Sequence, residues 1–229
     1  MIKKEKGIRL ANGLLFLALL AGMMLYMHCG GLPIKGAASS IFVLMGLVNL
    51  GAVLKKGARP RGFPLLMVSG LMLSMLGDIL LGIFFPWGVG LFALGHVSYL
   101  LGYCCLQPYE KKDFWLGSVL FFLSAALLLF APCFAWDQPS LLLLLLAYAL
   151  IISLMLGKAI GNFMAGKKLI SGLLLIGSAL FFFSDLMLVF YLFGDGPRLM
   201  DQLCLLSYFP AQGLLALSVC AYHLNRGKK

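Results

Sequence analysis

Two aspartates, Asp78 and Asp185, stand inside long apolar runs of the sequence. Asp78 lies in the segment LSMLGDILLG and Asp185 in the segment LFFFSDLMLV. A carboxyl group in an apolar environment tends to keep its proton, and an unpaired aspartate at mid-helix in a bilayer costs at least about 2.5–3.5 kcal/mol. Two such groups that face one cavity can share a proton, which leaves one acid and one base. General acid–base catalysis uses this arrangement.

The other six acidic residues fall at the ends of the apolar runs or between them. Water or lipid headgroups can solvate carboxylates there, so we do not expect these residues to carry chemistry. They are Glu5, Glu110, Asp113, Asp137, Asp195 and Asp201. For Asp78 and Asp185 the alternative interpretation is a protonated carboxyl group that only hydrogen-bonds to neighbouring helices.

Further polar residues occur in the apolar runs that follow each aspartate. His96 and Tyr99 are three residues apart and Tyr208 and Gln212 are four apart, so each pair shares one face of a helix. We predict that these four side chains bind or orient a substrate near the two acids. Interfacial anchoring or packing is the alternative role for the tyrosines. Asn49, in the second run, is predicted to hydrogen-bond between helices.

Transmembrane helices must position all these residues. The 229 residues are 62% hydrophobic and 11% charged, against about 25% charged in an average soluble domain, which excludes a soluble enzyme. A helix needs about 20 mostly apolar residues to span a bilayer. Eight such runs occur, at 10–27, 37–54, 63–84, 87–106, 114–134, 140–160, 169–192 and 200–222. The sequence predicts an all-α, polytopic membrane protein with eight transmembrane helices in a single domain, residues 1–229.

The net charge of +10 is distributed unevenly between the two sides of the predicted membrane domain. Sixteen of the eighteen Lys and Arg residues fall in the termini and alternate connections on one side, and only Lys35 and Arg198 fall on the other. Because cytoplasmic segments retain positive charge, we predict that both termini are cytoplasmic, in the cell membrane if the source is bacterial. The bases would contact anionic membrane lipids, and the pattern does not indicate nucleic-acid binding.

The two halves of the chain, 1–107 and 108–229, resemble each other. A shift of 107 residues places Asp78 on Asp185, and a shift of 109 places Tyr99 on Tyr208. Each half contains an even number of spans, so the halves would be parallel repeats related by an axis along the membrane normal. The repeat would put the two acids in equivalent places.

Neither histidine nor cysteine spacing indicates a metal site. His28 and His223 are predicted at opposite membrane faces, far from His96, and the six cysteines lack zinc-ligand spacing. We expect no metal and no cofactor. Cys29 and Cys133 fall near the same face, where either a disulfide or free thiols are compatible with the sequence.

At these residues the chain resembles the YhhN-like family of eight-span membrane proteins, the lysoplasmalogenases. Four motifs in order carry the resemblance: Gly77-Asp78, His96 with Tyr99, the Leu-Phe-x-x-Ser-Asp run that ends at Asp185, and Tyr208 followed by Ala211-Gln212. One departure is Phe209-Pro210, which places a proline between the tyrosine and the Ala-Gln pair.

The resemblance implies hydrolysis of the vinyl ether bond of a lysoplasmalogen, a lysophospholipid, to a fatty aldehyde and a glycerophospho-alcohol. This reaction needs a carboxylic acid that protonates carbon and a carboxylate that stabilises the resulting cation or activates water. Asp78 and Asp185 supply both, although the sequence does not say which is the acid. A proton-coupled transporter that uses the same two aspartates and a non-catalytic lipid-binding membrane protein are the alternatives.

Overall fold

The structure is a computed structural model that describes residues 2–55, 61–166 and 168–225, without the side chains of residues 2–5 and 225. Eight α-helices and no strand occur in these ranges. The helices are α1 (Ile2–Cys29), α2 (Leu32–Lys55), α3 (Gly62–Leu81), α4 (Phe85–Cys104), α5 (Lys111–Phe130), α6 (Pro139–Ala165), α7 (Leu169–Phe193) and α8 (Arg198–Asn225).

All eight helices are long and apolar enough to cross a membrane. This confirms the predicted all-α, multi-pass membrane fold, in which each helix satisfies its own backbone hydrogen bonds without water. The third span was predicted to reach residue 84, but α3 ends at Leu81, and α4 begins at Phe85 with Pro86 in its first turn. Asp78 therefore lies in the last turn of α3, whereas Asp185 lies about two turns before the end of α7.

Helix α8 forms the centre of the bundle, where it packs against α1, α2, α3 and α7. It is the most buried of the eight helices, and it stays helical through Pro210. Helix α4 packs against α3 and α6. Within the described part of the chain, α5 packs against α6 alone, so α5 presents most of its surface to lipid.

Two predicted surface charges, Lys158 and Asp113, are buried instead. Lys158 had been placed with the cytoplasmic bases and Asp113 with the solvated acids, but they are only 1% and 0% exposed. Lys158 Nζ donates to Asp113 Oδ2 at 2.8 Å and to the Pro108 carbonyl at 2.7 Å, and Asp113 Oδ2 also accepts the Glu110 backbone N–H at 2.9 Å. The prediction was wrong because the α4–α5 connection folds back over α6 and covers both groups.

Tyr109 completes this cluster outside the membrane-spanning segments. Its ring lies 5.7 Å from Lys158 Nζ, a distance that permits a cation–π contact. Burial raises the pKa of the Tyr109 hydroxyl, and the nearby Asp113 carboxylate raises this pKa further. The aromatic ring thus shields the ion pair that joins α5 to α6.

The contacts between helices do not test two predictions about topology. These are the cytoplasmic location of both termini and the internal repeat, which stay predictions. Several of the bases counted for the orientation lie outside the described residues, namely Lys56, Arg59, Lys167, Arg226, Lys228 and Lys229.

We expect the Lys158→Met variant to be strongly destabilised, because it leaves the Asp113 carboxylate buried without its cation. Removing one partner of a buried ion pair costs about 3–5 kcal/mol. A thermal unfolding curve of the purified protein in detergent would measure the loss. The double variant Lys158→Met/Asp113→Asn removes both charges and keeps an oxygen for the Glu110 N–H, so it should recover most of the stability. Equal melting temperatures for wild type and Lys158→Met would contradict this role.

Candidate functional site

A cavity of about 260 Å³ lies inside the bundle, toward the end where α1 connects to α2, α3 to α4 and α7 to α8. Both Asp78 and Asp185 line it. Most of its wall is apolar, and the other polar lining residues are Tyr26, Lys35, Tyr148, Ser184, Tyr191, Asp201, Cys204 and Tyr208. The cavity therefore combines Asp78 and Asp185 with a mostly apolar wall. A third carboxyl group, that of Asp201 at the start of α8, also lines it, although the sequence predicts a solvated position for Asp201.

Three donors from two other helices surround the carboxyl group of Asp78, which is 2% exposed. Ser39 Oγ of α2 donates to Oδ2 at 2.5 Å, and the Tyr208 hydroxyl of α8 donates to the same atom at 2.7 Å. Lys35 Nζ lies 3.1 Å from Oδ1. Hydrogen bonds and a cation at this distance stabilise the charged form of a carboxyl group.

The turn between α1 and α2 brings Lys35 to this position. Gly30 and Gly31 adopt φ values of 67° and 88°, in a region that glycine enters without steric cost. These two residues alone separate the helices, so α2 begins at Leu32 and Lys35 falls in its first turn. Lys35 had been predicted in the connection, where it would be a surface charge, but its ammonium group lies against the buried Asp78.

Asp185 has different partners and a more accessible side chain, 18% exposed. The Tyr148 hydroxyl of α6 donates to Oδ2 at 2.6 Å, and His96 Nε2 of α4 lies 2.7 Å from that hydroxyl and 3.5 Å from Oδ2. Since the hydroxyl proton goes to Asp185, His96 Nε2 carries the proton that bonds to the Tyr148 oxygen. His96, Tyr148 and Asp185 thus form a short chain of hydrogen bonds that ends in the cavity.

The six residues predicted for the site are divided between the cavity wall and the layer behind it. Asp78, Asp185 and Tyr208 line the cavity, whereas His96, Tyr99 and Gln212 are buried outside its lining. His96 reaches the cavity through Tyr148 and Asp185. The Tyr99 hydroxyl donates to Gln212 Oε1 at 2.8 Å, which links α4 to α8.

Sequence reasoning missed Lys35, Ser39 and Tyr148 as partners of the two acids. Lys35 had a signal, because it is one of only two bases on the predicted outer side. Tyr148 also had one, since it interrupts a run of leucines and alanines in the sixth span. Ser39 carried no signal, because serine is common in membrane helices, where its hydroxyl can hydrogen-bond to its own backbone.

A cluster of aromatic rings packs beside the site residues. Phe92 packs edge-to-face on Tyr208 and Phe181 with ring centroids 6.0 Å and 6.2 Å apart, and Phe181 packs on His96 at 4.5 Å. Gly77, next to Asp78, makes room for Phe92: a Cβ atom there would lie 2.8 Å from the ring. The Gly77-Asp78 pair therefore places an aromatic wall beside the carboxyl group.

Hydrogen bonds from side-chain amides hold α1, α2 and α8 together away from the cavity. Asn12 of α1 and Asn49 of α2 exchange two hydrogen bonds of 2.7 Å and 2.8 Å, and Asn49 Nδ2 also donates to the Ala216 carbonyl of α8 at 3.1 Å. This confirms Asn49 as an interhelical hydrogen-bonding residue.

One cysteine, Cys204, lies in the cavity wall. All six cysteines are free thiols, which decides between the two alternatives for Cys29 and Cys133. No group of three His, Cys, Asp or Glu side chains able to hold a metal ion occurs in the described ranges.

The fold and the site define a multi-pass membrane protein with a cavity whose wall includes the carboxyl groups of Asp78, Asp185 and Asp201. The chain belongs to the YhhN family, whose model matches residues 36–219, most of the chain. This confirms the resemblance seen in the four sequence motifs. Neither a curated protein nor a solved structure matched the chain.

We expect Gly77→Ala and Gly90→Ala to change stability in opposite directions. At Gly77 the new methyl group would press on Phe92, and overpacking of this kind costs about 1–3 kcal/mol. At Gly90, in α4, nothing lies within 4 Å of the added methyl, so the higher helix propensity of alanine should stabilise by up to about 1 kcal/mol. Melting temperatures in detergent would measure both. An unchanged or raised value for Gly77→Ala would contradict the tight contact with Phe92.

Proposed function

We propose that the protein is a lysoplasmalogenase-like hydrolase that cleaves the vinyl ether bond of a lysoplasmalogen. The products would be a fatty aldehyde and a glycerophospho-alcohol such as glycerophosphoethanolamine. One observation carries the proposal: Asp78 and Asp185, which come from the middle of apolar sequence runs, line one mostly apolar cavity and have different hydrogen-bond partners. Membership of the YhhN family supports a hydrolase of this kind.

The chemistry of the vinyl ether requires an acid and a carboxylate in one site. A carboxylic acid adds a proton to the vinyl carbon farther from the ether oxygen, which leaves an oxocarbenium ion at the nearer carbon. Water attacks that carbon and gives a proton to the second carboxylate, forming a hemiacetal, and this proton then passes back to the carboxyl group that protonated the vinyl carbon. The hemiacetal collapses to the aldehyde and the free alcohol. The net reaction consumes one water, and the acid is regenerated.

The partners of the two aspartates suggest how these roles are divided. Asp78 has the ammonium group of Lys35 at 3.1 Å and accepts hydrogen bonds from Ser39 and Tyr208, so we assign it as the carboxylate that stabilises the cation or activates water. Asp185 accepts a hydrogen bond from Tyr148 on Oδ2, and the same carboxyl group lines the cavity. No Lys or Arg side chain of the described residues forms an ion pair with Asp185, in contrast to Asp78, so we assign Asp185 as the acid.

The residues behind the wall would act through those that line it. His96 orients the Tyr148 hydroxyl, which in turn fixes Asp185. Tyr99 holds Gln212 on α8, one turn from Tyr208. In this proposal His96, Tyr99 and Gln212 are positioning residues, and Tyr208 is the predicted substrate-binding residue that can touch a bound lipid directly.

The cavity fits part of a lysophospholipid. Its volume of about 260 Å³ lies just below the range of about 300–1,000 Å³ that encloses a drug-sized ligand. A headgroup, glycerol and vinyl ether linkage can occupy such a space, whereas a long hydrocarbon chain must leave it. Access from within the bilayer suits a substrate that is itself a membrane lipid.

Asp78→Asn and Asp185→Asn should each lower the rate of aldehyde release from a lysoplasmalogen by at least about 100-fold, the contribution of a positioned acid or base. The measurement is aldehyde released by purified protein from a vinyl-ether lysophosphatidylethanolamine. Asp137→Asn is the matched control, because Asp137 is exposed in the α5–α6 connection, and it should keep wild-type activity. An ester-linked lysophospholipid with the same headgroup should give no aldehyde.

The same experiment separates hydrolysis from the two alternatives. Full activity in either Asn variant would remove that aspartate from the mechanism. Wild-type protein that releases no aldehyde but moves the lipid across a vesicle membrane would favour a transporter. Binding without turnover or transport would favour a lipid-binding protein.

Tyr148→Phe should lower kcat by about two- to tenfold and leave KM nearly unchanged, because it removes one hydrogen bond of about 0.5–1.5 kcal/mol that orients the acid and keeps the ring that lines the cavity. Tyr103→Phe is the matched control. It also removes a buried tyrosine hydroxyl. The Tyr103 hydroxyl lies 2.9 Å from Ser178 Oγ, and Tyr103 does not line the cavity. Equal kcat values for Tyr148→Phe and wild type would show that the Tyr148 hydroxyl does not position Asp185.

A further inference from the structure

A second, smaller cavity of about 50 Å³ lies beside the first, among α5, α6 and α7. The two cavities share Leu145, Tyr148, Asp185 and Val189 in their walls. Tyr148 and Asp185 therefore stand at the boundary between them, within reach of a molecule that occupies either one.

The walls of the two cavities differ in chemistry. The larger cavity carries Lys35, Asp78 and Asp201. Beyond the shared residues, the smaller cavity is apolar apart from one hydroxyl, that of Ser124. That hydroxyl donates its proton to the Leu120 carbonyl of its own helix, so only its oxygen can still accept a hydrogen bond. A charged ligand group would find no charged partner in the smaller cavity other than the shared Asp185.

The smaller cavity also lies on the side of the bundle that is nearest to lipid. In the described part of the chain the backbone of α5 approaches α6 and not α7, so only side chains lie between α5 and α7. Phe122, on α5, is 69% exposed. A hydrocarbon chain that leaves the larger cavity past Asp185 can thus continue between α5 and α7 into the bilayer.

We infer that the smaller cavity is the subsite for the first carbons of the substrate's hydrocarbon chain. The inference rests on the proposed function. The headgroup then occupies the larger cavity, toward Lys35, and the chain passes Leu128, Ala149 and Phe182. In a lysoplasmalogen the vinyl ether joins the headgroup side to the chain, so it falls at the boundary where Asp185 stands. The vinyl carbon that receives the proton lies on the chain side of the ether oxygen.

A pair of substrates tests the subsite. One carries a 1-O-hexadecenyl chain, and the other carries only a 1-O-ethenyl group on the same glycerophosphoethanolamine. Wild type should prefer the long chain by about tenfold or more in kcat/KM, since each buried methylene contributes to binding. Ala149→Phe should abolish that preference by lowering kcat/KM for the long chain, while activity on the ethenyl substrate changes less than about twofold.

The control variant is Ala147→Phe, which adds the same side chain on α6 at an exposed position outside both cavities. It should keep the wild-type preference. The inference is overturned if Ala149→Phe keeps the preference for the long chain, or if it lowers kcat/KM equally for both substrates.

Photolabelling tests the subsite without turnover. The probe is a saturated 1-O-alkyl lysophosphatidylethanolamine, which has no vinyl ether to cleave, with a diazirine on the third carbon of its chain. It should label Leu128, Phe182 or Leu186, and unlabelled lysolipid should suppress this labelling. Labelling of the lipid-exposed Phe122 should resist competition. If the wild-type protein cleaves neither substrate, the proposed hydrolysis is refuted, and the photolabelling result alone then tests the subsite. The subsite is overturned if no labelling between α5 and α7 is suppressed by unlabelled lysolipid.

Discussion

A carboxyl group enclosed by apolar side chains and lipid needs hydrogen-bond donors from its neighbours, because no bulk water is there to supply them. This requirement decides how the helices around the cavity meet. Asp78 on α3 draws its donors from α2 and α8, and Asp185 on α7 draws its donor from α6, with α4 behind it. Each acid thus ties at least three helices together, and the two sets meet at one cavity.

The same requirement acts at other levels of the bundle. The Asp113–Lys158 pair joins α5 to α6, and the amides of Asn12 and Asn49 join α1 and α2 to α8. Helices surrounded by lipid gain little from burying apolar side chains against one another, so polar contacts and close approach at small residues select their partners. Gly70 shows the second effect, because a Cβ atom there would overlap the Tyr99 ring.

These structural contacts also create the chemical asymmetry of the site. A cation and two hydroxyl groups surround one carboxyl group, whereas a tyrosine and a buried histidine contact the other. Both residues are aspartates, so only their different environments can make one of them the acid and the other the base. The proposed hydrolysis uses Asp185 as the acid and Asp78 as the carboxylate. Because Asp185 lies at the boundary between the two cavities, the proposed substrate meets it between its headgroup and its hydrocarbon chain.

The sequence by itself determined the eight helices, the multi-pass membrane class and the isolation of Asp78 and Asp185, because hydropathy, charge and the four family motifs are local features of the chain. It also identified Tyr208, which lines the cavity with both acids. It misjudged Asp113 and Lys158, whose burial depends on how the α4–α5 connection folds over α6. Only the tertiary structure decided that Lys35 pairs with Asp78, that Tyr148 links His96 to Asp185, and that two cavities meet there. The physical reason is that a membrane helix is apolar both toward lipid and toward its neighbours, so no amphipathic stripe in the sequence tells which face turns inward.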